Sequence, residues 1–76
     1  MAKSIDESAL GALIESQAVR EVRSTRIDAA WGLEVRLGVS WHRVRSRRDP
    51  VRLWASLTAL GRFCERTGIK SLQVEL

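Results

Sequence analysis

The clearest pattern along the chain is an unbroken alternation that starts at Trp31. Trp31, Leu33, Val35, Leu37 and Val39 alternate with Gly32, Glu34, Arg36, Gly38 and Ser40. This period of two predicts a strand with one buried face. Gly38 marks a reversal into a hairpin, through a short loop around Gly38–Ser40. The next run, about Trp41–Arg47, interleaves Arg43, Arg45 and Arg47 with His42, Val44 and Ser46. One face of this predicted strand is thus almost wholly arginine. A slip of one residue would bury three guanidinium groups, so the register is expected to be firmly set.

Helical spacing flanks the hairpin. Ser4-Ile5-Asp6-Glu7 reads as a capping box, and Leu10, Leu13, Ile14 and then Gln17 or Ala18 follow as one apolar stripe. A first helix is predicted over about 6–17. The β-branched run after Ala18, VREVRSTRIDA, loses the helical period and predicts a first strand over about 20–28. On the far side, Asp49-Pro50 reads as an N-cap followed by proline at the first helical position. Leu53, Trp54, Leu57, Leu60, Gly61 and Cys64 then give the buried stripe of a second helix, about 50–66. Gly68 reads as its left-handed cap, with Ile69 supplying the accompanying apolar contact. Leu72, Val74 and Leu76 alternate as a short last strand. The expected fold is one α+β domain over residues 1–76, in the order α-β-β-β-α-β. It would be an antiparallel sheet with both helices packed on one face.

Charge changes this picture. Residues 1–34 hold four basic and six acidic side chains, while residues 35–76 hold nine basic and three acidic. Eleven of the thirteen basic residues are arginine, whose planar fork suits bidentate contact with phosphate or carboxylate. The cationic group Arg43, Arg45, Arg47, Arg48 and Arg52, with Trp41 beside it, is the candidate binding surface. Some of it would lie at the second helix's N-terminus, where an anion meets both dipole and guanidinium. The plainer reading of the same residues is a solvated charged face, partly neutralised by Asp49, Glu65 and Glu75. Trp31 and Trp41 have two readings as well: a cross-strand pair closing the sheet, or exposed stacking platforms.

Catalysis finds no footing. One histidine and one cysteine occur, with no glycine-framed serine and no phosphate-cradling glycine loop. His42 reads as a packed or surface residue and Cys64 as inert core. No metal-ligand spacing, cofactor site or small-molecule substrate is expected. A lone cysteine fits a reducing cytoplasm, and the acidic N-terminal stretch lacks the long apolar run of a signal peptide or membrane span.

Two family resemblances follow from these residues. The α-β-β-β-α order, with Arg47, Arg48 and Arg52 around the start of the last helix, looks like a double-stranded-RNA-binding domain, which sets a basic helix start on phosphates. Here Asp49-Pro50 interrupts the basic motif and a further strand follows. Over nearly the whole chain, AVREV, WGLEVRLG, VRSRRDPVRLWASLTAL and GIKSLQVEL resemble the small partition-associated proteins of the ParC type. The family's Gly-Trp pair is reversed here as Trp31-Gly32. That resemblance implies a cytoplasmic, non-catalytic accessory of plasmid or mobile-element maintenance. Its expected partner is a partition or replication protein, or DNA ahead of RNA, and a small core with a short last strand also suits a homodimer.

Overall fold

The computed structural model describes residues 3–76. The chain runs β1 (Ser4–Asp6), α1 (Glu7–Glu15), β2 (Val19–Ile27), β3 (Ala30–Leu37), β4 (Ser40–Arg45), α2 (Leu57–Thr67) and β5 (Gln73–Glu75). The five strands form one sheet in the order β1-β4-β3-β2-β5. The fold is α+β with both helices on one face, as the pattern predicts. The sheet, however, is mixed. β2, β3 and β4 form the antiparallel meander, whereas β1 joins β4 and β5 joins β2 in parallel. Both outer strands follow or precede a helix that crosses the sheet, and a crossover returns the chain in the same direction.

The antiparallel centre follows from local chemistry. Two-residue turns at Asp28–Ala29 and Gly38–Val39 close the two hairpins, and the first residue of each has a positive φ, +55° at Asp28 and +63° at Gly38. Trp31, Leu33 and Val35 are buried on one side of β3 together with Val44 of β4. Leu10 of α1 and Leu60, Phe63 and Cys64 of α2 complete that core, so the two helices share one face of the sheet. Trp54 also belongs to it and lies 4.9 Å from Phe63, ring centre to ring centre.

Several expected boundaries move, each for an identifiable reason. Ser4 does not cap the first helix. It lies in β1, opposite Arg43, and Asp6 caps α1 by accepting from the Ala9 amide at 2.8 Å. α1 then ends at Glu15 rather than near 17. Gln17 takes a left-handed φ of +63°, and the Ala18 amide donates back to the Leu13 carbonyl.

The larger correction is at the second helix. Asp49-Pro50 starts no helix, and α2 begins at Leu57, with Ser56 as N-cap accepting from the Ala59 amide at 3.1 Å. Residues 46–53 instead form a loop. The Asp49 amide donates to Ser46 Oγ at 2.9 Å, and the Arg52 amide donates to the Val44 carbonyl at 2.9 Å. Trp54 then exchanges two backbone hydrogen bonds with Trp31, each 2.8 Å. It stands where a continuing β4 would have faced Trp31. An extended residue satisfying a buried strand cannot also be helical, and those two bonds outweigh a favourable local cap. Leu53 and Leu57, expected in the buried stripe, are therefore exposed.

At the other end of α2 the expectation holds. Gly68 has φ +93°, its amide donates to the Cys64 carbonyl, and the Ile69 amide follows to the same carbonyl.

Candidate functional site

The register sorts the strand side chains into two faces. The helix-covered face holds Leu33, Val35, Val44 and Ser24. The opposite face has no helix over it, and it gathers Glu21, Arg23, Thr25 and Ile27 from β2, Gly32, Glu34 and Arg36 from β3, and Trp41, Arg43 and Arg45 from β4. β1 adds Ser4 and Asp6, while β5 adds Gln73 and Glu75. Neighbouring strands thus set Arg43, Glu34 and Arg23 in one row across the sheet, with Trp41, Arg36 and Glu21 in the next.

These rows are electrically interlocked. Glu34 is the hub: Arg23 Nε donates to it at 2.7 Å, and Arg43 approaches its other oxygen at 3.8 Å. Arg23 also reaches Glu75 at 3.6 Å, and Arg36 donates to Glu21 at 2.6 Å. The Arg23 guanidinium stacks 3.9 Å from the centre of the Trp41 ring, a desolvating contact that favours both groups. Pairing opposite charges across strands is also what permits so many ionised groups on one sheet face.

The six candidate residues therefore divide among three places. Trp41, Arg43 and Arg45 share the uncovered face, as the alternation predicts. Arg47 and Arg48 lie beyond β4 in the exposed loop, so the strand face ends one arginine short of expectation. Arg52 turns to the helix side, where it pairs with Glu7 and lies 4.9 Å from the centre of Trp54. The second helix does not begin beside Arg47, Arg48 and Arg52, so the anion site expected at its N-terminus is not formed. Trp31 and Trp41 are on opposite faces: Trp31 is core, and Trp41 opposes Arg36. They make no cross-strand pair.

Arg23, Arg36, Glu21 and Glu34 also belong to this surface, beyond the binding candidates that the sequence suggests. Glu34 and Arg36 were visible as the polar half of the β3 alternation, but only strand register shows that they neutralise arginines. Among the described residues, Arg45, Arg47 and Arg48 make no ion pair. Arg45 and Arg47 flank a small cleft with Asp6, Glu7 and Ser8.

Elsewhere, His42 is half-buried opposite Val35 on the helix side. Cys64 is core, and burial pushes its thiol pKa up, which keeps it protonated and unreactive at neutral pH. Among the described residues no group of three or more His, Cys, Asp or Glu could hold a metal, and no helix is long and apolar enough to cross a membrane. Comparison with protein families, with curated proteins and with solved structures returns no match to this chain.

Proposed function

We propose that this protein is a small non-catalytic adaptor that acts through protein contacts made by its uncovered sheet face. The observation that carries this reading is the Arg23–Glu34–Arg43 row with Trp41 stacked beside it. A surface built to hold a phosphate backbone presents uncompensated cations. Here three arginines, Arg23, Arg36 and Arg43, already lie within 4.0 Å of glutamate. Alternating charge around a half-buried tryptophan suits another protein, which can exchange ion pairs at the rim while covering the aromatic ring. The resemblance to ParC-type proteins supplies the setting: an accessory of plasmid or mobile-element maintenance, meeting a partition or replication protein.

A second reading rests on Arg45, Arg47 and Arg48, which have no ion-pair partner among the described residues. On this reading they supply a direct nucleic-acid contact, Arg45 from the uncovered face and Arg47 and Arg48 from the loop beyond it. One experiment separates the two. The purified chain is tested after nuclease treatment against partition and replication proteins, and separately against duplex DNA and RNA at low salt. Adaptor function predicts a defined protein complex that Trp41→Ala and Arg43→Glu weaken. Nucleic-acid binding predicts affinity that falls steeply with salt, with a slope reduced by about one for each of Arg45 and Arg47 neutralised. A protein complex insensitive to both face variants overturns the adaptor reading.

A further inference from the structure

The two edges of the sheet are unlike. At the β1 edge, Asp6 is committed to capping α1 and Lys3 donates to Ser40, so charge and an immediate helix blunt the strand. The β5 edge is less defended, because its one charged side chain, Glu75, is paired inward with Arg23 at 3.6 Å. Among the described residues, no strand pairs with its side facing away from β2. Val74 lies in register with buried Ser24, and so on the helix side of the sheet, yet it is 43% exposed. Leu72 packs against the core, and the alternation continues to Leu76, which is 99% exposed. An edge strand with an apolar row left in water is a template for another strand.

We infer that β5 is a dimerisation edge, on which β5 of a second copy of this chain pairs antiparallel about Val74. The sequence around Val74 is complementary to itself in that register. Val74 meets Val74 of the second copy, and Leu72 meets Leu76 of the second copy on the same side. On the other side, Gln73 meets Glu75 of the second copy, so an amide faces a carboxylate and no like charges are opposed. Glu75 keeps Arg23, 3.6 Å away, as its partner within each copy. The contact is isologous, as a two-fold axis requires, and it joins the two sheets into one. Pairing in the parallel sense would lose this match, because each Glu75 would then stand beside its own counterpart.

The test is sedimentation equilibrium of the full chain from micromolar to near-millimolar concentration, with circular dichroism as the check on folding. The native chain is expected to show a monomer–dimer equilibrium. Val74→Lys, which sets two ammonium groups together on the axis, is expected to raise the dissociation constant about tenfold or more. Val74→Cys reads the geometry independently of affinity. The residue is its own neighbour across the axis, so it should oxidise to a covalent dimer, while Val39→Cys, on the β3–β4 turn and 94% exposed, should not. A chain that stays monomeric throughout overturns the proposal. So does a dimer of unchanged affinity in Val74→Lys, growth into open-ended assemblies, or equal cross-linking of the two cysteine variants.

Discussion

The two faces of this sheet use the same five strands to opposite ends. One face carries Leu33, Val35 and Val44 under two helices, and its cohesion comes from removing apolar surface from water. The other carries Arg23, Glu34, Arg36, Trp41 and Arg43 with no helix above them, and its order comes from paired charge and one guanidinium–indole stack. The difference separates the source of stability from the surface proposed for contact. Burial is non-directional and worth kilocalories per side chain, whereas partly exposed ion pairs contribute little and can be exchanged for a partner's groups. A small domain can therefore keep its fold on one face and leave the other available for contact.

Adjacent residues on β3 test that separation most directly. Leu33 is fully buried, and Leu33→Ala is expected to cost about 2–5 kcal/mol, read as a shift in the denaturant midpoint. For a domain of this size that is a large share of the total, and the variant should be largely unfolded at 37 °C. A loss below about 1 kcal/mol would mean that the helix-covered face is not the main source of stability.

A double-mutant cycle between Arg23→Met and Glu34→Gln addresses the other face. Both side chains are more than two-thirds buried, at 27% and 15% exposure, so their coupling should exceed that of a surface pair and reach about 1 kcal/mol. Added salt should leave most of it in place, because screening acts weakly on partly buried pairs. The smallest effect is expected at Gly32, also on the uncovered face. A methyl group there would come within 2.7 Å of Ile27 Cδ1, the movable end of a side chain that no helix pins down. Gly32→Ala should therefore change stability by about 0.5 kcal/mol or less, measured in the same unfolding assay. A cost comparable to that of Leu33→Ala would show the uncovered face to be packed as tightly as the core.

How much of this was legible in the sequence depended on distance along the chain. Alternation from Trp31 gave β3, the glycine gave its turn, and interleaved arginines gave the exposed side of β4, since each is settled by neighbours a few residues apart. Gly68 and Ile69 were readable as a helix end for the same reason. The N-terminal helix boundaries were not, because each offered two acceptable caps. Ser4 and Asp6 could both serve α1, and Asp49 and Ser56 could both serve α2. The choice fell to β1 pairing with β4 and to Trp54 bonding with Trp31, contacts that span tens of residues.

The candidate site shows the same division. By itself the sequence determined that Trp41, Arg43 and Arg45 share a strand face, that the chain folds as α+β, and that the flanking segments are helical. Only the tertiary structure decided that the sheet is mixed, that Arg47 leaves that face, that Arg48 and Arg52 flank no start of the second helix, and that Glu34 sits between Arg23 and Arg43. Periodicity fixes which way a side chain points, a property of one strand alone. Which charge it meets is set by strand order and register, and those are decided by burial of the whole core.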